Sequence, residues 1–130
     1  MHLKIVTVDK TIADEQIVSL QTNSPKGEFE ILENHSPLIA VTVPATTIFV
    51  TTEGVRNVLF TSTGVLKVHN NFILFITDSA EPKSAIDIDR ARCSEDLALQ
   101  RIANSSRLHR KIHEEALARA RARIKTTQTN

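Results

Sequence analysis

Residues 72–91 read Phe72-Ile73-Leu74-Phe75-Ile76-Thr77-Asp78-Ser79-Ala80-Glu81-Pro82-Lys83-Ser84-Ala85-Ile86-Asp87-Ile88-Asp89-Arg90-Ala91, and the chain changes character inside this stretch. Before the seam near Ser84, Leu3 to Val8, Gln16 to Gln21, Leu38 to Val43, Thr47 to Thr51, Val55 to Thr61, Val65 to His69 and Phe72 to Thr77 form short runs rich in β-branched residues. Turn chemistry separates them at Asn23-Ser24-Pro25-Lys26-Gly27, Glu53-Gly54, Thr63-Gly64 and Asn70-Asn71, which is the pattern of a sandwich or a barrel. After Ile86 there is no Gly or Pro, and Ala, Arg, Leu, Glu and Lys dominate, as helices require. The spacing predicts two modules, residues 1–84 and residues 85–130.

Charge divides at the same place. Residues 1–84 hold six Lys/Arg against nine Asp/Glu, a net of −3, and residues 85–130 hold ten against six, a net of +4. The overall +1 hides a basic arm on an acidic body, and such asymmetry points to an anionic contact for the arm. The first module can bury a modest core of its own, whereas a helical hairpin of roughly 40 residues is marginal alone and must dock on something.

Compartment signals are few. The single Cys93 excludes an internal disulfide and fits a reducing compartment. The alternating strand His2-Leu3-Lys4-Ile5-Val6-Thr7-Val8 stands where an apolar signal core would be, so export by such a signal is not expected. The longest apolar run, Phe72 to Ile76, is far shorter than the ~20 residues that span a bilayer, so any membrane association is expected to run through partners.

In the helical module, Asp87 is the expected N-cap, with Asp89 in the first turn where negative charge complements the helix dipole. The first helix is expected to run to Asn104, the cluster Asn104-Ser105-Ser106 to reverse the chain, and a second helix to run from Arg107 to Lys125. Ala91, Ala98 and Ile102 fall on one stripe of the first helix. Leu108, Ile112, Ala116, Ala120 and Ile124 recur every fourth residue on the second, which suits an antiparallel hairpin. Both stripes are Ala-rich, so burial contributes little and a loosely held arm is expected. Arg119 and Arg123 fall within about 20° of the Ile112 azimuth, beside that stripe. They either extend into water from its edge or contact an anion or acidic partner, for which the guanidinium fork is suited.

Chemistry-bearing constellations are sparse. His109 and His113 are four apart on the second helix, but Arg110 and Lys111 surround them and no zincin glutamate is present, so no metal site is expected. The glycines at 27, 54 and 64 are isolated, which excludes a Gly-rich phosphate loop. Ser36 and Ser79 have polar neighbours but no nucleophile–base arrangement, so no enzyme is expected. A stacking platform for nucleic acid is disfavoured by the lack of Trp and Tyr, although a basic arm can bind DNA by electrostatics alone.

Two segments together resemble a known family. Gly27-Glu28-Phe29-Glu30-Ile31-Leu32-Glu33-Asn34-His35-Ser36-Pro37-Leu38 is similar to the Gly-x-x-Gly-x-Leu-x-Gly-His-x-Pro segment of the epsilon subunits of F-type ATP synthases. Glu30 stands for that family's second Gly and Asn34, which tolerates a left-handed backbone, for the next one; Thr63-Gly64 replaces a paired Gly. Asp78-Ser79-Ala80-Glu81 through Ile86-Asp87-Ile88-Asp89-Arg90-Ala91 resembles the family's sandwich exit and its Ile/Leu-Asp-x-x-Arg-Ala nucleotide pattern.

The resemblance implies an α+β chain in which an N-terminal antiparallel β-sandwich precedes a C-terminal antiparallel two-helix hairpin. It implies a non-catalytic rotor subunit of a proton- or sodium-translocating ATP synthase. In that family the sandwich binds the gamma subunit and rests on the c-ring, while the helices fold back or extend towards the alpha/beta catalytic subunits and restrain ATP hydrolysis. No cofactor is required. ATP is implied as a regulatory ligand at Ile86, Asp87, Arg90 and Ala91, joined by Arg119 and Arg123. Glu28 and His35, on a Ser24–His35 loop, are the implied ring contacts; Arg119, Arg121 and Arg123 are those for an acidic segment of the catalytic subunits. The implied location is peripheral, on the cytoplasmic side of a bacterial cell membrane, through the c-ring. The alternative reading is a free-standing sandwich module whose basic hairpin binds nucleic acid.

Overall fold

Alternation of apolar and polar residues every second position gives each strand one buried and one outward face, and two such faces close on each other here. The computed structural model describes residues 1–130, except the side chain of Leu108. In chain order it contains β1 (His2–Val6), β2 (Thr11–Ser24), β3 (Gly27–Leu32), β4 (Leu38–Thr42), β5 (Ala45–Thr51), β6 (Arg56–Thr61), β7 (Gly64–His69), β8 (Phe72–Thr77) and β9 (Ala80–Pro82). A 3₁₀ turn at Lys83–Ala85 then leads to α1 (Ile88–Asn104) and α2 (Arg107–Gln128).

The strand order is β4-β7-β8-β1-β2-β5-β6-β9, with β3 also on β2. The 14-residue β2 belongs to both layers: its first half pairs with β1 and its second half with β3 and β5. One pair departs from the expected antiparallel pattern. β1 runs parallel to β8, with Leu3 opposite Ile73 and Ile5 opposite Phe75, because the long excursion between them allows a crossover that a tight hairpin could not make. Leu3, Ile5, Ile17, Leu20, Ile31, Leu66, Ile73 and Phe75 fill the space between the layers and are almost completely buried, and among the described residues none from a helix joins that core. Polar groups also occur inside: the Thr47 hydroxyl lies 2.8 Å from that of Thr22 and 2.6 Å from that of Thr61.

The stretch expected to be one loop, Ser24–His35, is instead strand β3 between two turns. Glu28-Phe29-Glu30-Ile31-Leu32 alternates at period two, which buries Ile31 and half-buries Phe29. Positive φ values at Gly27 (124°) and Asn34 (62°) make the turns, so Asn34 takes the left-handed conformation that its position needs. Gly64 serves a different purpose. Its backbone lies so near β8 that a Cβ there would stand 2.2 Å from the Ile76 carbonyl oxygen.

Asp87 caps α1, its Oδ1 accepting from the Arg90 amide at 3.1 Å, and Ser105-Ser106 separates the helices. α2 packs between α1 and the outer face of β5 and β6. Its docking uses small side chains: Ala91 and Ala98 of α1 and Ala120, Ala122 and Thr126 of α2 are buried. The Thr126 hydroxyl lies 2.9 Å from that of Thr46, and Lys83 Nζ donates to the Thr129 carbonyl. The expected stripe on α2 needs correction at Ile112, which is 61% exposed, while Ala116 and Ile124 are half-buried. A single stripe suits one neighbour. Because α2 has two, the sheet and α1, its buried set shifts towards Ala120, Ala122 and Thr126.

Replacing Gly64 by Ala should force β7 off β8 and destabilise the protein by about 1–3 kcal/mol, the usual range for overpacking. A thermal midpoint unchanged from the wild type would show that the two strands can part without cost.

Candidate functional site

The 3₁₀ turn carries the chain off β9 and delivers Ile86 and Asp87 to the start of α1, one turn before Arg90 and Ala91. α2 returns antiparallel and brings Arg123 to the same place. Ile86, Asp87, Arg90, Ala91 and Arg123 thus line one cavity of about 260 Å³, completed by Glu81, Ala85 and Ser94. Arg119 lies one turn back on the same side of α2, half-buried and not among the lining residues.

Arg123 is the most constrained of these side chains. Its Nε donates to Glu81 Oε1 at 3.3 Å, Nη2 lies 3.2 Å from the same oxygen, and its guanidinium carbon stands 4.4 Å from the centre of the Phe60 ring. A cation over an aromatic face gains about 0.5–2 kcal/mol, more where water is excluded. Phe60 is fully buried and pairs across strands with Thr46 and Glu81, so one strand position supports both the ion pair and the threonine contact. Arg121 pairs instead with Glu95 of α1 at 3.2 Å. In this conformation Arg121 and Arg123 hold the hairpin together and against the sandwich. Exposed pairs such as Arg121–Glu95 contribute about 0–1 kcal/mol, so releasing them costs little.

The cavity balances two guanidinium groups against two carboxylates, Asp87 and Glu81. Since Asp87 caps the helix, Glu81 is the carboxylate that competes with an incoming anion for Arg123. At about 260 Å³ the cavity is below the roughly 300–1,000 Å³ of ordinary small-molecule sites.

Glu28 lies near the start of β3, and His35 lies three residues beyond its end. Glu28 lines a groove of about 410 Å³ shared with Arg121 and Lys125 of α2, while His35 is exposed, its Nδ1 2.7 Å from the Ser36 carbonyl. The structure does not bring them together.

Sequence reasoning passed over Glu81, Phe60 and one surface. On the outer face of the layer away from the helices, Val41, Val65, Ile76 and Val6 stand side by side across β4, β7, β8 and β1. Ile39, Val41, Val65 and Ile76 are 70%, 55%, 45% and 51% exposed. A solvated strand face should be polar, so β-branched apolar residues at outward positions were the available signal. Among the described residues, no helix is long and apolar enough to cross a membrane.

Comparison with known proteins agrees with this architecture. The family model for the delta/epsilon chain β-sandwich domain of ATP synthase matches residues 1–83. The ATP synthase epsilon chain of Clostridium acetobutylicum is 39% identical over 106 residues, covering 82% of this chain and 80% of the relative. That of Clostridium botulinum is 33% identical over 128 residues, covering 98% and 96%. In fold, the chain is similar to one from the Euglena gracilis mitochondrial ATP synthase (OSCP, F1 and c-ring), with a TM-score of 0.83 at 19% identity over 92% of this chain and 76% of that one. It is also similar to one from the Tetrahymena thermophila mitochondrial ATP synthase central stalk and c-ring, with a TM-score of 0.69 at 14% identity over 98% and 96%.

Proposed function

The chain belongs to the ATP synthase delta/epsilon family as an epsilon chain, and from that premise we propose that it is a non-catalytic central-stalk subunit whose sandwich joins the gamma subunit to the c-ring and whose hairpin restrains ATP hydrolysis. The observation that carries the stalk role is the apolar row Val41–Val65–Ile76–Val6. A partner that covers it buries β-branched side chains held rigidly by strand pairing, at little cost in conformational entropy. The gamma subunit is the partner assigned to this face. Glu28 and His35 are the candidate ring contacts, one near the start of β3 and one beyond its end. The protein is then peripheral to the membrane, held on the cytoplasmic side of a bacterial cell membrane through the c-ring.

The hairpin supplies the regulatory part. Residues 105–130 carry seven Lys/Arg against Glu114 and Glu115, a net of +5. Once Arg121 and Arg123 leave Glu95 and Glu81, the helix offers Arg119, Arg121 and Arg123 to an acidic segment of the alpha/beta catalytic subunits. ATP is the regulatory ligand of the folded hairpin, its phosphates held by Arg90 and Arg123 and an apolar edge by Ile86 and Ala91. Binding there stabilises only the folded state and opposes the extended one. Displacement of Glu81 offsets part of the gain, so the affinity is weak.

Val65→Asp with Ile76→Asp should lower binding to the gamma subunit at least tenfold in a pull-down or by calorimetry while leaving the thermal midpoint near that of the wild type; full retention of binding would assign the gamma subunit to another face. In the assembled enzyme, truncation after Ser84 should leave assembly intact and raise ATP hydrolysis, and Arg119→Ala, Arg121→Ala and Arg123→Ala together should reproduce much of that rise, most clearly at low salt. Hydrolysis rates equal to wild type in both variants at every salt concentration would leave the subunit without an inhibitory role.

A further inference from the structure

Phe60 lies outside the nucleotide cavity, yet it touches the residue that the cavity most depends on. Its side chain leaves β6 on the face towards α2, is completely buried, and places its ring 4.4 Å from the Arg123 guanidinium carbon. Cross-strand pairing sets Phe60 opposite Glu81, whose Oε1 holds Arg123 from the side. An unsupported arginine samples many rotamers, and ordering it on ligand binding costs affinity. Here much of that ordering precedes the ligand.

The two supports differ in kind. Glu81 competes with any anion for the N–H groups of Arg123. The Phe60 ring uses none of them, because it attracts the cation through the negative face of its π-system and leaves all five guanidinium hydrogens for other partners. When an anion displaces Glu81, the ring still supports the plane of the guanidinium.

We infer that Phe60 is a positioning residue for nucleotide binding: it presents Arg123 to the phosphates through cation–π contact, and a sandwich residue thereby sets the affinity of a site that otherwise belongs to the hairpin. This rests on the assignment of the Ile86–Ala91 cavity as a nucleotide site. It also couples binding to docking of α2, since Arg123 meets the ring only when the helix lies on β6.

The test is calorimetric titration of the full chain with ATP in four forms: wild type, Arg90→Ala, Phe60→Leu, and the protein with pentafluorophenylalanine at position 60. The fluorinated ring keeps the shape of Phe60 but reverses its quadrupole, so it stands even if the leucine variant folds poorly. Wild type should bind and Arg90→Ala should not, while both changes at Phe60 should raise the Kd about tenfold, the scale of one desolvated cation–π contact. In an Arg123→Gln background, which keeps a polar side chain but carries no cation, the penalty of fluorination should shrink to about twofold or less. Binding lost in Arg90→Ala but unchanged by fluorination, or an equal penalty in both backgrounds, would overturn the role of Phe60 and leave the nucleotide site standing. No binding by the wild type at millimolar ATP would remove the site and the inference together.

Discussion

The core between the two β layers is complete without the helices, and that constraint shapes everything attached to it. Leu3, Ile5, Ile17, Leu20, Ile31, Leu66, Ile73 and Phe75 use the large apolar side chains of the chain's first part on one another. The described side chains that α1 and α2 bury are alanine and threonine, which allow close approach but remove little apolar surface from water. The hairpin therefore docks through specific polar and ionic contacts. Thr46–Thr126, Lys83 to Thr129 and Arg123 on Phe60 and Glu81 give it a defined seat that few changes are needed to vacate.

Because the contacts that hold the arm down are charged, they are also those with the most to offer another partner. Arg123 can satisfy Glu81, a phosphate or an outside carboxylate, though not all three at once. Arg121 chooses in the same way between Glu95 and an external acid. Under the proposed function, competition for a limited set of guanidinium groups links ligand, fold-back and extension without a separate relay through the protein, each ligand shifting the balance only by its difference in affinity for the two arrangements.

The class of fold was legible because it rests on periodicity: period-two runs up to Thr77, and an uninterrupted run of helix formers after Ile86. The cap at Asp87 and the reversal at Ser105-Ser106 followed from side-chain hydrogen-bonding chemistry. β3 was not legible because it is short, begins in the Pro25–Gly27 turn, and alternates acidic Glu28 and Glu30 with its apolar Phe29 and Ile31. Ile112 was misplaced because a helical repeat identifies a stripe but not how many neighbours the helix meets. Of the site residues, Ile86, Asp87, Arg90, Ala91 and Arg123 converge, and Arg119 does not line the cavity. Glu81 and Phe60 could not be found by pattern, since their importance comes from cross-strand register and from the place where α2 lands.

The parallel pairing of β1 with β8 has a consequence for how the chain reaches this state. Contacts between Leu3 and Ile73 or Ile5 and Phe75 span most of the first module, and a topology dominated by such distant pairings folds slowly compared with one built from hairpins. During synthesis the first strand must wait for residues as far along as Thr77 before its layer can close. The basic helices leave the ribosome after the strands. The arm is thus added to a surface whose strands come earlier in the chain.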